Sequence, residues 1–376
     1  MPRIYLDYNA STPVAPEVAS AMRPFLEDAY GNPSSGHWAG KPAREAVENA
    51  RGQVAHLLGC ASDEIVFTSG GSEANNHALK GVAFALRDKG DHIITSAFEH
   101  PAVLNPCAFL ANLGFRTTLL PVDQYGRVDP DEVKRALTPR TILVSIMHAN
   151  NEVGTILPIS EISRITRERG ILLHTDAAQS VGKIPARVED LGVDLLSIAG
   201  HKLYAPKGIG ALYIRSGSRI EPLLHGAGHE SGRRAGTESA LMTAALGAAC
   251  AFAGDLEPMQ GVRILRDDFW RQLQSDLGDQ VVLNGHPEHR LPNTLNVSFV
   301  GRIGAEVLSA LDGVAASTGS ACHSGRIELS PVLRAMGSAP EVGMGAVRFS
   351  LGRSTTKAEI EAVAGMIRGR VAVSGR

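Results

Sequence analysis

The chain contains 376 residues, of which 44% are hydrophobic and 20% charged, so it can bury a large core in two domains or in one large domain. Its 37 Lys and Arg residues nearly balance 39 Asp and Glu residues, which argues against nucleic acid or an anionic membrane as a partner. A small neutral or zwitterionic substrate is therefore expected.

The sequence predicts a cytoplasmic protein, because it shows neither a targeting pattern nor a membrane-length apolar stretch. The first ten residues carry an Arg and then an Asp, and they match neither a signal-peptide core nor a transit peptide. No stretch reaches the roughly 20 apolar residues of a membrane helix. Even the apolar run that starts at Leu241 ends at Asp255.

The four cysteines have neither a CxxC pair nor metal-ligand spacing, so no disulfide framework or metal site is expected. Cys60, Cys107 and Cys250 have apolar neighbours and are interpreted as small buried hydrophobic residues. Cys322 lies in the small, polar run 317–325, Ser-Thr-Gly-Ser-Ala-Cys-His-Ser-Gly, which is typical of an exposed loop.

Short apolar runs alternate with longer amphipathic ones, which predicts an α/β class with βαβ units and a mainly parallel sheet. In chain order, a strand over 64–68 is followed by a Gly-Gly turn and a helix from Ser72 to about Leu86. Helices are also predicted over 130–137, capped by Asp129, and over 160–169. Further strands of this kind are predicted over 92–96, 142–147, 171–175, 195–198 and 209–214.

From about Leu256 the pattern changes to a long charged helix, strands over 294–299 and 347–351, and a terminal helix. The terminal helix begins at the capping box Thr356-x-x-Glu359. A second, smaller α+β domain is therefore expected, with a helix rather than a tether at the boundary. We predict a large domain over 13–257 and a small domain formed by 1–12 and 258–376.

Residues 68–73, Thr-Ser-Gly-Gly-Ser-Glu, lie between a strand and a helix, where free backbone N–H groups favour an anion such as phosphate. A plain helix cap explains the same residues, so the motif alone is weak evidence. The chain lacks GxxxxGK[ST], and no GxGxxG follows a first strand, which argues against a nucleoside-triphosphate or NAD enzyme.

Asp176 ends a predicted buried strand, at the edge where ligands of open α/β sheets gather. A carboxylate there needs a partner: a cation of the protein, a protonated pyridine nitrogen of a cofactor, or the free N–H groups of a helix start. Gln179, on the adjoining turn, could donate a hydrogen bond to a ring oxygen of such a cofactor.

Lys202 follows another apolar strand, between Gly200-His201 and a Gly-rich turn. An amine desolvated at that position becomes the nucleophile that imine chemistry requires. For a single lysine, the alternative of an exposed turn residue stays open, as it does for Lys207 nearby.

These motifs, in this order, resemble the class V aminotransferase-like pyridoxal-phosphate enzymes and, more closely, the cysteine desulfurases. The resemblance covers nearly the whole chain. The matching segments are YLDYNASTP (5–13), GNPSS (31–35), EH (99–100), HANNEVG (148–154), GHK (200–202), RAGT (234–237), GSAC (319–322) and RFSLGR (348–353). It implies an aspartate aminotransferase-like fold, with a seven-stranded, mainly parallel sheet in the large domain and a smaller α+β domain.

The resemblance also implies roles for individual residues. Lys202 would hold pyridoxal 5'-phosphate covalently, Asp176 would hold its pyridinium proton, Gln179 would contact the ring hydroxyl, and His100 would lie over the ring and shuttle protons. Gly71, Ser72 and His201 would bind the phosphate, joined by Thr237 of the other subunit of a homodimer. Arg348, Asn151 and Asn32 would hold the substrate carboxylate, and Asn151 would also bind the cofactor. Cys322 would be the nucleophile.

The expected reaction converts L-cysteine into L-alanine and places the sulfur on Cys322 as a persulfide for a sulfur-acceptor protein. His323 could help to ionise the thiol. Ala199 stands where many cysteine desulfurases have a hydroxyl residue. The apolar Ala199 and the Cys322-His323 pair resemble the selenocysteine lyases. Pro101, in contrast, does not resemble that family. Selenocysteine lyase, with L-selenocysteine as substrate, and a class V pyridoxal-phosphate enzyme without desulfurase activity therefore remain the alternatives.

Overall fold

The computed structural model describes residues 3–318, 322–323 and 326–370, and of 322, 323, 326 and 327 it describes the backbone alone. Its strands are, in chain order, β1 (Ile4–Tyr5), β2 (Ile65–Thr68), β3 (His92–Ser96), β4 (Arg116–Leu120), β5 (Thr141–Ser145), β6 (Leu172–Asp176), β7 (Leu195–Ala199), β8 (Gly210–Ile214), β9 (Val281–Asn284), β10 (Thr294–Phe299), β11 (Val314–Ala315), β12 (Ser317–Thr318), β13 (Cys322–His323), β14 (Arg326–Ile327) and β15 (Ala346–Ser350).

Helices connect most of these strands. They are α1 (Pro16–Glu27), α2 (Gly40–Leu58), α3 (Gly71–Ala85), α4 (Pro101–Ala111), α5 (Pro130–Ala136), α6 (Ile159–Glu168), α7 (Val188–Leu191), α8 (Ala240–Gly254), α9 (Pro258–Leu277), α10 (Gly304–Ser309), α11 (Pro331–Ala335), α12 (Pro340–Gly343) and α13 (Lys357–Arg370).

The larger sheet has seven strands in the order β2-β8-β7-β6-β5-β3-β4. The neighbours from β4 to β7 run parallel, whereas β8 is antiparallel to both β2 and β7. The predicted α/β class with a mainly parallel sheet is confirmed. Strands covered by helices on both faces are buried and rich in apolar residues, which is why the sequence pattern located them.

The predicted strands of this sheet agree with the structure to within two residues at either end, and the capping box is confirmed by the bond from the Thr356 N–H to Glu359 at 2.7 Å. One strand, β4, was not predicted. It forms the edge of the sheet, and Leu119 within it is 54% exposed. The sequence of β4, Arg-Thr-Thr-Leu-Leu, is mostly exposed or half-buried and lacks the buried apolar run by which the other strands were recognised.

The second sheet has the order β12-β15-β10-β9 and is antiparallel. Ser317 of β12 pairs with Arg348 of β15, so the strand that leads toward Cys322 starts beside Arg348. The N-terminal segment joins this part of the molecule, since β1 pairs with β11 and Asp7 bridges to Ser350. This arrangement brings three distant parts of the chain together.

Among the residues that the structure describes, the buried hydrophobic side chains form three clusters. Alternate residues of the large sheet enter two of them, with Ile65 and Phe67 in one and Val66 in the other, as the two faces of a sheet require. The third cluster combines Ile4 and Leu6 with residues from 259 onward. From this separation we propose the predicted domain division, 13–257 against 1–12 with 258–376. Residues from the C-terminal part that also join the first cluster form a packed boundary: Val332, Leu333, Met336 and Ala346.

Within the described ranges, no single helix is both long and apolar enough to cross a membrane. The bent pair formed by Ala240–Gly254 and Pro258–Gln280, at 70° to each other, meets the length and composition criteria only when the two are taken together.

Candidate active site

A cavity of about 510 Å³ opens at the carboxyl ends of β6 and β7 and at the start of α3. Most of the predicted site residues line it, namely Gly71, Ser72, His100, Asn151, Asp176, Gln179, His201, Lys202 and Arg348. A second cavity, of about 580 Å³, is slightly larger but contains none of them. The smaller cavity is the candidate site, because the titratable groups converge there.

Lys202 ends a short 3₁₀ turn, Gly200–Lys202, directly after β7. Its Nζ donates hydrogen bonds to the backbone oxygens of Asn9 at 2.6 Å and Ala10 at 2.8 Å. Burial, reinforced by the positive charge of Arg348, lowers the pKa of this amine to about 8. The amine is therefore neutral in a useful fraction of molecules near neutral pH, as a nucleophile must be.

The carboxylate of Asp176 is almost completely buried at the end of β6. Its Oδ2 accepts a hydrogen bond from Nδ2 of Asn75 at 2.6 Å, and its Oδ1 accepts one from the N–H of Ala178 at 2.9 Å. The turn-capping bond that was an alternative for this residue is therefore present. The carboxylate nevertheless lines the cavity, so the two interpretations are compatible.

His100 is the N-cap of α4, and its Nδ1 accepts a hydrogen bond from the N–H of Ala102 at 3.1 Å. This bond fixes the neutral tautomer that carries its proton on Nε2. Burial is the main cause of the lowered pKa of His100. The negative charge of Asp176 raises this pKa, whereas the positive charge of Lys202 lowers it further. The imidazole is thus held neutral and oriented, which suits a group that relays a proton.

Arg348 lies on β15 and is 8% exposed. Its Nη2 donates to Oδ1 of Asp7 at 2.8 Å, and its Nη1 donates to the backbone oxygen of Asn151 at 2.9 Å. Ser317 donates to the same Asp7 oxygen at 2.9 Å. The guanidinium is therefore held on two sides, and its planar donor set can still bind a carboxylate.

The other end of the cavity is suited to an anion. Gly71 and Ser72 begin α3, a helix of 15 residues whose first N–H groups have no partner within the helix. A Cβ at Gly71 would lie 3.1 Å from the Cβ of Ala199, so a side chain there would crowd this wall. His201 and Lys207 complete this end of the cavity. Lys207 is an exposed turn residue, the alternative that the sequence left open, and it also lines the cavity.

Four residues that organise the site were not predicted from the sequence: Asp7, Asn9, Asn75 and Lys183. Asp7 and Asn9 belong to the segment 5–13, where no role was assigned to them. Lys183 follows Gln179 by four residues, a spacing that brings side chains together on a helical turn. Asn75, the fifth residue of α3, could not be predicted as a site residue, because its contact with β6 is set by tertiary packing.

Three predicted site residues are not among the described residues that line this cavity. Asn32 is exposed, and its Oδ1 accepts a bond from the N–H of Ser34 at 2.9 Å. Thr237 lines a separate cavity of about 100 Å³, although the Glu73–Arg234 ion pair at 2.9 Å ties its segment to the start of α3. The Cys322 side chain lies outside the part of the chain that the structure describes.

The chain matches the family described as aminotransferase class-V over residues 4–363. The fold and the lysine–carboxylate site therefore define a class V aminotransferase-like protein. A curated relative, a cysteine desulfurase IscS from Dictyoglomus turgidum, is 53% identical over 362 residues, which cover 95% of this chain and 91% of that protein. Hence the chain belongs to the cysteine desulfurase family, and membership implies a pyridoxal-phosphate-dependent enzyme.

Solved structures agree with this assignment. A structure described as a NifS-like protein is 38% identical and has a TM-score of 0.92, covering 98% of this chain and 99% of that chain. Another, described as SspA in complex with cysteine, is also 38% identical, with a TM-score of 0.84 and coverage of 94% and 100%.

Proposed function

We propose that this protein converts L-cysteine into L-alanine with pyridoxal 5'-phosphate and transfers the sulfur to Cys322 as a persulfide for an acceptor protein. The observation that carries the proposal is one shared cavity. The amine of Lys202, the carboxylate of Asp176 and the guanidinium of Arg348 all line it. The named relative and the cysteine-bound structure support L-cysteine as the substrate.

The residues present fit the cofactor. A helix start without a Cβ at Gly71 suits the phosphate, and the buried Nδ1 of His201, which has no partner in the described structure, is available beside it. Asp176 suits a protonated pyridine nitrogen, Gln179 a ring hydroxyl, and Lys202 the aldehyde carbon. When bound, pyridoxal phosphate supplies an electron sink for the electrons left after the Cα–H bond breaks.

Lys202 has two tasks in this proposal. Its amine would hold the cofactor and, once the amine of the substrate takes its place, would accept the Cα proton. A base that performs this step near neutral pH should have a pKa close to that pH. The lowered pKa of Lys202, about 8 before the cofactor attaches, meets that requirement.

Arg348 holds the substrate carboxylate in this proposal. The carbonyl of Asn151 and the carboxylate of Asp7 fix two of its nitrogens, so the plane of the guanidinium is set before the substrate arrives. Preorganisation of this kind lowers the entropic cost of binding. The position of the carboxylate in turn fixes the direction of the substrate side chain.

Cys322 completes the reaction. Its thiolate attacks the substrate sulfur, so an S–S bond forms while the Cβ–S bond breaks, and Cβ gains a proton to become the methyl group of alanine. Selenocysteine is the second candidate substrate, favoured by the apolar Ala199 on the cavity wall. The deciding assay measures alanine formation from cysteine and from selenocysteine side by side. Absence of alanine from both would contradict the proposal.

We also propose that the protein works as a homodimer in which Thr237 binds the phosphate of the partner's cofactor. The segment around Asn32 supports an interface, because Tyr30 and Trp38 are each 81% exposed. Large aromatic residues seldom remain this exposed on a monomer unless they meet a partner. Asn32 would then reach the substrate carboxylate from across the interface.

A further inference from the structure

Lys183 is a buried lysine that lies behind the proposed cofactor site and does not line the cavity. It is 7% exposed, and its Nζ donates to Oε1 of Gln179 at 2.8 Å and to Oδ1 of Asn9 at 3.3 Å. Burying so long a polar side chain is unfavourable unless its hydrogen bonds compensate. Both of its partners line the cavity, so the amine stabilises the cavity wall from the protein interior.

The amide of Gln179 has only one orientation that satisfies its neighbours. Its Oε1 accepts from Lys183, while its Nε2 donates to the backbone oxygen of Asn9 at 2.9 Å. In the flipped orientation, the amide oxygen would face the Asn9 carbonyl oxygen, which cannot donate, and the Lys183 amine would face the amide nitrogen in place of an acceptor oxygen. Both hydrogen bonds would be lost.

Asn9 extends this arrangement to the reacting groups. Its backbone oxygen accepts from Nζ of Lys202 at 2.6 Å as well as from Gln179. Its side chain donates to the backbone oxygen of Asn151, which also holds Arg348. Lys183 therefore contacts a network that joins the groups proposed to bind the cofactor and the substrate.

We propose that Lys183 is a positioning residue that fixes the Gln179 amide so that an N–H, and not the carbonyl oxygen, faces the cofactor's ring hydroxyl. This inference rests on the proposed function, in which Gln179 contacts that hydroxyl. An N–H donor draws electron density from the ring oxygen. It thereby weakens proton binding at the nitrogen through which Lys202 holds the cofactor.

The test is a pH titration of the absorbance of the bound cofactor in the purified holoenzyme. Lys183→Met keeps the length and apolar stem of the side chain but removes the donor. We expect it to raise the proton-binding constant of the cofactor-linked nitrogen roughly fivefold, the loss of about one hydrogen bond, and to move the midpoint to higher pH. Lys134→Met, on the exposed face of α5, is the matched control and should leave the midpoint unchanged.

A double-mutant cycle separates positioning from a general structural effect. Gln179→Leu should raise the midpoint in the same direction, and adding Lys183→Met to it should produce no further shift. Equal shifts from Lys183→Met in both backgrounds would overturn the proposal. If Lys183→Met does not yield folded protein, Lys183→Gln keeps an N–H donor on a shorter side chain and should give a smaller shift.

The outcomes also separate this inference from the proposed function. A wild-type protein that forms no absorbance band with pyridoxal phosphate contradicts the proposed function itself. A normal wild-type band, combined with an unshifted midpoint in folded Lys183→Met, contradicts only the role of Lys183.

Discussion

The side chain of Asn75 donates a hydrogen bond of 2.6 Å to Oδ2 of Asp176, although 100 residues separate them along the chain. Asn75 is the fifth residue of α3, whereas Asp176 ends β6. The bond fixes the rotation of the carboxylate, because the N–H of Ala178 holds the other oxygen. The orientation of the proposed partner of the pyridine nitrogen is thus determined by two hydrogen bonds.

Asp176→Asn tests the charge of this residue separately from its shape. An amide can still accept from Ala178, so the cofactor should remain bound. Without the negative charge the pyridine nitrogen loses its proton, and Cα proton loss should slow by orders of magnitude, on the scale of several kcal/mol. Exchange of the Cα proton with deuterated water measures this step. Asp190→Asn, on the surface of α7, is the control. Near-normal exchange in Asp176→Asn would disprove the role.

Lys202→Ala should abolish turnover and the covalent attachment of the cofactor, because the nucleophilic amine is removed. Borohydride reduction of the wild-type holoenzyme followed by peptide mapping identifies the attached lysine. Lys207 lines the same cavity and is the natural competitor. A reduced pyridoxyl group on Lys207 instead of Lys202 would refute the assignment.

The pH dependence of Lys202 follows from its lowered pKa of about 8 in the cofactor-free protein. Only the neutral amine reacts with an electrophile, so its labelling by trace acetic anhydride should rise about tenfold per pH unit below pH 8 and level off above it. Mass spectrometry of the labelled peptide measures the rate, with the exposed Lys134 as an internal reference for the reagent. A plateau reached only near the ordinary lysine pKa of about 10.4 would contradict the effect of burial.

Cys322→Ser should distinguish the cleavage of cysteine from that of selenocysteine. Sulfur is the poorer leaving atom, so cysteine cleavage should require thiolate attack and should be lost in the variant, whereas selenium can depart with little assistance. Cofactor binding and Cα proton exchange should be preserved. Wild-type protein incubated with cysteine should gain one sulfur at Cys322 by mass spectrometry, and Cys250→Ser is a control at a buried cysteine. A fully active Cys322→Ser on cysteine, with no persulfide on the wild type, would leave a pyridoxal enzyme that is not a desulfurase.

The proposed homodimer makes a prediction about mixed protomers. If Thr237 acts across the interface, a heterodimer of Lys202→Ala and Thr237→Ala protomers contains one site with both residues intact. Cofactor affinity in that mixture should return to the wild-type value at half the site number, whereas the Thr237→Ala homodimer should bind more weakly. Failure to restore affinity, or a fully active monomer in sedimentation experiments, would exclude this arrangement.

The sequence alone determined the α/β class, the central strands and the motifs of the cysteine desulfurase family. The strands β7 and β6 are buried and mainly apolar at their starts; Lys202 lies three residues after β7 and Asp176 ends β6, so local pattern sufficed for them. Tertiary structure alone decided the contacts that orient these groups. Asn75 reaches Asp176, Asp7 reaches Arg348, and Lys183 supports Gln179 only after packing brings separate elements together. Such polar contacts have no periodicity along the chain, because their partners are chosen by the fold and not by neighbouring residues.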